Sequence, residues 1–185
     1  LQQILKRLSI QETMPEPGWR FGYGYHYDHY PDRFSLIYDV CLVHGFIREQ
    51  ADFLEVTNKG QRLLRHPETL EMVQIYRTWM RIYKHPLPLL PVIAHLIGLL
   101  CEKWVMVPSL FSVLRPWLQR FYYDSPEQVF EQRIVKMLVH LGILQMGAVP
   151  EGKAVRLSGI GKRLLEQGQG FESTPIPTFS GPRQC

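Results

Sequence analysis

The stretch that decides the fold runs from Ser125 to Leu165: SPEQVFEQRIVKMLVHLGILQMGAVPEGKAVRLSGIGKRLL. It opens with a helix start, because Ser125 can cap the first amides, Pro126 lacks an N–H where none is needed, and Gln128 can reach back to the cap. Apolar residues then recur every three or four positions until Gly142, which predicts the end of the helix. The residues expected in its buried face are Phe130, Ile134, Met137, Leu138 and Leu141.

Two short strands and a second helix follow this glycine. Ile143 to Met146 and Ala154 to Leu157 are apolar runs of strand length. The residues between them, 147–153, include glycine and proline and predict a long hairpin connection. Ser158 then caps a second helix, which again carries apolar residues on one side.

The same order of residues occurs about a hundred positions earlier in the chain. Six residues match at a constant offset of 97, as from Ile37 to Ile134, and four match at an offset of 101, as from Thr57 to Ser158. The offset changes within the hairpin, where related units vary most. The matched residues are Ile37, Val40, Cys41, Gly45, Phe46 and Ile47, then Thr57, Gly60, Leu63 and Leu64. The chain is therefore predicted to contain two copies of one unit.

Helix, glycine, strand, turn, strand and a capped helix with an internal glycine resembles the end of a winged-helix domain, in which the hairpin is the wing. The resemblance implies a mainly α fold with small β-hairpins (α+β), built as two winged-helix modules joined by a long helix. Residues 1–66 are expected to form an N-terminally incomplete first module, 67–86 a linking helix, 87–167 the second module and 168–185 a flexible tail. Winged helices bind DNA, RNA or other proteins, so the fold alone does not select a function.

The elements expected before Ser125 complete the second module. A helix is predicted from about Leu89 to Trp104, a short strand from Val105 to Val107, and another helix from Pro108 to about Phe121. Pro116 is expected to kink or end that last helix, because proline removes a hydrogen bond and its ring clashes with the preceding turn.

Composition argues against several classes of protein. The chain has 185 residues and three widely spaced cysteines, which fit neither a zinc site nor a disulfide framework. It contains no phosphate-binding loop, zinc-protease helix or nucleophile-elbow motif, so we expect no enzyme, no cofactor, no metal and no small-molecule substrate. The apolar run at 87–100 is too short to span a bilayer and no signal peptide is visible, which predicts a cytoplasmic protein without membrane contact.

Positive charge is concentrated in one part of the sequence. Lys59 to His85 contains six lysines or arginines against Glu68 and Glu71, an excess of four that equals the net charge of the whole chain, +4. Two interpretations stay open, a solvated helix face and a phosphate-facing patch.

The helix that begins at Ser125 supplies the main candidates for a nucleic-acid site. Its expected outward positions include two glutamines and a lysine, with an arginine at the margin, and such side chains contact base edges and phosphates. The hairpin and the following helix add further cations. The predicted nucleic-acid-binding residues are Gln128, Gln132, Arg133, Lys136, Lys153, Arg156, Lys162 and Arg163. The first hypothesis is a regulator or accessory domain that binds duplex DNA weakly and in a salt-dependent manner.

A second hypothesis is a protein-protein interaction scaffold. On the helix of the first copy, the expected outward residues are Ser35, Tyr38, Asp39 and Leu42, which suit a protein contact better than a DNA groove. Val135 and Val139 are expected outward on the second copy. The predicted protein interface is therefore Tyr38, Leu42, Val135 and Val139, in a scaffold similar to the winged-helix subunits of chromosome-condensing complexes.

An aromatic series precedes the first copy, from Trp19 to Tyr30. Rings interleaved with basic residues fit a stacking platform for unpaired bases, and they fit equally a long loop packed on the module surface. His26, Asp28 and His29 have no second ligand cluster in the sequence, so no metal is predicted there.

Overall fold

The computed structural model describes residues 32–51, 53–67, 70–84, 87–121 and 124–166. The aromatic series at 19–30 and the predicted tail at 168–185 lie outside these ranges. Within them the fold is α+β, with helices and two small antiparallel sheets.

The first copy contributes a helix, a hairpin and a capped helix, followed by the helix that leads to the second copy. Its hairpin is tight, because Gln50 pairs with Phe53 across the turn. The elements are α1 (Asp32–Val43), β1 (Ile47–Gln50), β2 (Phe53–Val56), α2 (Asn58–Arg65) and α3 (Met72–Lys84).

The second copy follows the predicted order of elements with shorter helices. Its second helix gives way to a 3₁₀ turn at Arg115–Trp117, so Pro116 does end it. The elements are α4 (Leu90–Leu100), β3 (Val105–Met106), α5 (Val107–Leu114), α6 (Pro126–Gln128), a π-helical segment (Val129–Val135), α7 (Lys136–His140), β4 (Leu144–Val149), β5 (Gly152–Leu157) and α8 (Gly159–Glu166). We call the continuous run of α6, the π segment and α7 the central helix.

The sheet of the second copy has the order β3-β5-β4 and is antiparallel throughout. The long connection predicted at 147–153 is wrong, because the strands remain paired to Val149 and Gly152 and only two residues turn between them. Gly152 has a φ of +134°, which side chains rarely adopt, and this lets the chain reverse immediately. The wing is therefore a tight, fully paired hairpin.

In the first copy, one threonine ties the end of α1 to the start of α2. The Thr57 hydroxyl donates to the Gly45 carbonyl oxygen (2.6 Å) and accepts from the Gly60 N–H (3.1 Å). The Thr57 N–H donates to the Phe46 carbonyl oxygen (3.0 Å). Gly45 is left-handed, with a φ of +67°, so the chain leaves the helix and enters the strand in a single step. We call these four residues the cap cluster.

The second copy builds the same cap cluster from Gly142, Ile143, Ser158 and Gly161. The Ser158 hydroxyl donates to the Gly142 carbonyl oxygen (2.6 Å) and accepts from the Gly161 N–H (2.9 Å). The Ser158 N–H donates to the Ile143 carbonyl oxygen (2.9 Å), and Gly142 has a φ of +69°. The internal repeat predicted from the sequence is thus confirmed at the level of individual hydrogen bonds.

The two copies differ in which face of their long helix is buried. Ile134 is fully buried, as is Leu138, whereas the equivalent of Ile134 in the first copy, Ile37, is 52% exposed. The outward positions predicted on α1 are wrong for Ser35, Tyr38 and Asp39, all of which are buried. The reason is that α1 packs against β1, α3 and α7, and Tyr38 turns inward so that its hydroxyl donates to Glu49 Oε1 at 2.7 Å.

One apolar core extends through both copies. Helix α3 contacts α1 on one side and α4 on the other, and its Tyr76 and Trp79 are almost completely buried. Their rings pack with centroids 5.8 Å apart. Leu36 and Val40 of α1 belong to the same cluster of buried side chains as Leu138 of the central helix.

The cap clusters generate a stability prediction. A methyl group added at Gly161 would overlap the Ile143 carbonyl oxygen, and one added at Gly60 would overlap the Phe46 carbonyl oxygen. Each substitution by alanine should cost about 1–3 kcal/mol, the usual range for overpacking. Gly159→Ala is the control, because its methyl group meets nothing within 4 Å. Urea unfolding of the three variants checks this, and equal stability of Gly161→Ala and Gly159→Ala would contradict it.

Candidate nucleic-acid interface

The central helix starts with a complete capping box. The Ser125 hydroxyl accepts from the Gln128 N–H (3.2 Å), and Gln128 Oε1 accepts from the Ser125 N–H (2.8 Å). The helix start is as the sequence predicts. It also engages the side-chain oxygen of Gln128, so the orientation of this predicted DNA-binding side chain is fixed by the helix start.

A π-helical segment interrupts the central helix at Val129–Val135. The Lys136 N–H donates to the Glu131 carbonyl oxygen, five residues back, where an α-helix would use the fourth. The wider turn brings residues five apart onto one face. Val129 therefore lies with Ile134 inside the core, and Phe130 with Val135.

This segment corrects the prediction for Val135, which regular α-helical spacing places outward. Val135 is 1% exposed. The sequence does carry a signal of the wider turn, because the apolar pairs Val129-Phe130 and Ile134-Val135 are separated by five positions, where an α-helix would separate them by four. An apolar repeat of five within a helical pattern indicates a π turn.

The predicted nucleic-acid-binding residues of the central helix differ in their exposure to solvent and in their partners. Gln132 is exposed and lies in the π segment. Arg133 is mostly buried and its Nη2 lies 3.4 Å from Asp124 Oδ2, so its charge is largely balanced. Lys136 is half-buried. Gln132 is thus the most accessible side chain among these three.

The end of the central helix faces the first copy of the repeat. Helix α7 contacts α1, and Arg33 Nη2 approaches His140 Nδ1 at 3.5 Å. Val139 is half-buried against the core. The predicted protein interface is therefore wrong for Tyr38 and Val135, which are buried in the interior of the chain, while Leu42 and Val139 are only half-exposed.

The wing presents two cations on opposite faces of β5. Lys153 is exposed near the turn, and Arg156 is exposed three residues later. Arg156 Nε donates to Gln145 Oε1 (2.8 Å), and its guanidinium lies 4.8 Å above the centre of the Trp104 ring. Both partners are neutral, and Arg156 forms no ion pair among the residues that the structure describes. The guanidinium of Arg156 is therefore held in place by neutral groups, and its positive charge can still pair with an anion.

Lys162 and Arg163 are exposed on α8. This helix packs against α4 and β5. Its Leu165 side chain lies so close to Gly98 of α4 that a Cβ atom there would be 3.2 Å from Leu165 Cδ1. Gln132 belongs instead to the helix that contacts α1. The structure thus places the predicted residues on three separate elements, the central helix, the wing and α8.

A second basic surface lies where α1, α2 and α3 meet. Lys59 Nζ donates to the His44 carbonyl oxygen (2.8 Å) and lies 5.2 Å from the centre of the Phe46 ring. The His44 ring stacks on Phe46 and its Nε2 lies 2.8 Å from Thr78 Oγ1. Because Thr78 donates its only proton to the Gln74 carbonyl oxygen, His44 must be the donor through Nε2.

The surroundings of His44 disfavour its charged form. Burial lowers the pKa of His44 below the usual 6.5, and the nearby cations Lys59 and Arg81 lower the pKa further. His44 is therefore a neutral structural donor at pH 7, and the positive charge of this surface comes from the lysine and the arginines.

The described residues also bear on whether the chain has a metal site, a membrane span or a reactive thiol. No group of three or more His, Cys, Asp or Glu side chains there is arranged to hold a metal ion. No helix in the described part of the chain is long and apolar enough to cross a membrane. Burial raises the pKa of the Cys101 thiol to about 11 and also raises that of Cys41, so neither thiol is a nucleophile at neutral pH.

Comparison of the chain with protein-family models, with curated proteins and with solved structures gave no match. Exposed cations occur on the wing, around His44 and on α8, and those of the wing and the His44 region also have fixed positions through the contacts described above.

The π segment predicts an unusual tolerance of deletion. Removing Gln132 restores a spacing of four between the apolar pairs, so the helix can close as a regular α-helix with the same residues buried. Thermal unfolding of the ΔGln132 chain should show a cooperative transition within about 3 °C of the wild type, a shift that corresponds to roughly 1 kcal/mol for a chain of this size.

Deletion of Lys136 is the matched control, because it rotates the buried residues of α7 by about 100° relative to those before it. That variant should lose its cooperative transition. If both deletions lower the melting temperature equally, the prediction is wrong, because the helix then cannot close as a regular α-helix when Gln132 is removed.

The low pKa of His44 predicts a pH dependence of stability. The unfolded chain binds a proton at His44 more readily than the folded chain does. The contribution of neutral His44 to the free energy of unfolding is therefore fully present above about pH 6.5 and is lost as the pH falls from that value through the lower pKa of the folded chain. Between pH 7.5 and 5.5, the melting temperature of His44→Gln should fall less than that of the wild type. An equal fall in the melting temperatures of the two chains would contradict this prediction.

Proposed function

We propose that this chain is a non-catalytic pair of winged-helix modules that binds duplex DNA, as a regulator or accessory domain of a larger DNA-processing protein. The order of elements supports the fold assignment. In the second copy, helix, short strand, helix, central helix and hairpin follow one another, and β3 pairs with the second strand of the hairpin. The duplicated cap cluster supports the assignment of a related unit in the first copy.

The single observation that carries the proposal is the state of Arg156 in the wing. A guanidinium that is oriented by neutral groups and stacked on an aromatic ring keeps its full charge and loses little side-chain entropy when it meets a phosphate. Lys153 adds a second exposed cation to the same hairpin.

Binding should be weak and largely independent of sequence. Among the residues predicted to contact base edges, Gln128 is engaged in the capping box and Arg133 faces Asp124. Gln132 is the candidate with the freest approach to a groove. Affinity should therefore come mainly from phosphates, which are the same at every base pair.

A protein-binding scaffold is the second candidate, and a specific observation favours it. Phe53 and Leu64 of the first copy are 77% and 70% exposed, the two largest exposed fractions among the large apolar side chains of the described residues. This alternative does not depend on the buried residues Tyr38 and Val135. It predicts that changes at Phe53 and Leu64 affect a protein partner and leave duplex binding unchanged.

Fluorescence anisotropy with a labelled 20-base-pair duplex at several salt concentrations tests the DNA proposal. The double variant Lys153→Gln, Arg156→Gln removes two cations, so it should bind more weakly and flatten the plot of log affinity against log salt by about 2. Phe53→Ser, Leu64→Ser is the control and should retain the wild-type slope. Absence of salt-dependent binding by the wild-type chain would overturn the proposal.

A further inference from the structure

Helices α2 and α3 carry charge of one sign only. α2 contains Lys59, Arg62 and Arg65, α3 contains Arg77, Arg81 and Lys84, and neither helix contains an aspartate or a glutamate. Helices of this composition gain no support from ion pairs along their own surface. The positive charges of α2 and α3 are therefore available to groups outside these two helices.

The fold brings the two helices together at the end of α1. Lys59 binds the backbone of His44, and Thr78 of α3 binds its ring. Arg81 lies three residues after Thr78, nearly one turn further along the same side of α3. Lys59 and Arg81 thus approach one imidazole from two helices, and both cations contribute to the lowered pKa of His44.

The described carboxylates of the hairpin that α2 contacts are already engaged. Glu55 is occupied by Arg48, with Oε2 and Nη2 at 2.7 Å, and Glu49 accepts the Tyr38 hydroxyl. Arg62, Arg65 and Arg81 are exposed and form no ion pair within the described ranges. We call Lys59, Arg62, Arg65 and Arg81 the basic ridge.

We propose that the basic ridge is a second nucleic-acid site, which binds the phosphates of the duplex backbone. The inference rests on the proposed duplex binding and extends it to the first copy of the repeat. Guanidinium groups pair with phosphate oxygens through two parallel hydrogen bonds, and three of the four ridge residues are arginines.

Phosphates suit the ridge better than an acidic protein does. Hot spots of protein interfaces are enriched in Trp and Tyr as well as Arg and lie in well-packed central pockets, so a protein site would be expected to place a large aromatic or apolar side chain among the arginines. The exposed apolar residue of α2, Leu64, is two positions from Arg62 and so points to the opposite side of the helix. The ridge offers charge without such an anchor.

The test is anisotropy of the same labelled duplex with the full chain and two charge-matched double variants. Arg62→Gln, Arg81→Gln removes two ridge cations, and Arg115→Gln, Arg120→Gln removes two exposed cations of the second copy that are outside both proposed sites. The ridge variant should lose roughly 10- to 100-fold in affinity at 0.1 M salt and flatten the salt slope by about 2. The charge-retaining variant Arg62→Lys, Arg81→Lys should recover most of the affinity, and circular dichroism should show all of these variants folded.

The outcomes separate this inference from the function on which it rests. If the ridge variant binds like the Arg115, Arg120 control while the wing variant loses affinity, the ridge inference is wrong and duplex binding by the chain stands. If the wild-type chain shows no salt-dependent binding, duplex binding itself fails. Binding of labelled poly-glutamate by the ridge at least as tightly as the duplex would overturn the assignment to phosphates in favour of an acidic protein partner.

Discussion

The architecture depends on the close contact between a helix backbone and a carbonyl group, made once in each copy of the repeat. Only a residue without a side chain fits at Gly60 and Gly161, and the hydroxyl of Thr57 or Ser158 bonds both to the neighbouring glycine carbonyl and to that helix. These contacts fix the direction in which the second helix leaves the hairpin. The position of each wing relative to the helix before it follows from that direction.

Packing between the copies explains where the surfaces for binding lie. Helix α1 and the end of the central helix cover each other, so the apolar residues there are used within the chain. Exposed polar groups of the described residues that stay accessible include Gln132, the wing cations and the basic ridge. A polyanion can therefore be approached from both copies, although the two copies use different elements to do so.

The sequence predicts the features that depend on near neighbours. The capping box, the helix-ending glycines and the repeat itself are local, and all of them are present. The sequence does not predict burial that depends on contacts between distant elements. Tyr38 is buried because α1 is enclosed by other elements. Val135 is a different case, because its burial follows from a local wide turn whose apolar spacing of five regular α-helical periodicity does not consider. The proximity of Lys59 and Arg81 joins elements that are 22 positions apart, which no spacing rule anticipates.

Helix α3 has a consequence for how the chain unfolds. Trp79 has no exposed surface and lies in a core that includes side chains from both copies. Separation of the copies would hydrate this indole together with Tyr76, at a cost of several kcal/mol. The repeat therefore forms one cooperative unit, and the fluorescence of Trp79 should shift to the red in the same transition that removes the helical circular dichroism.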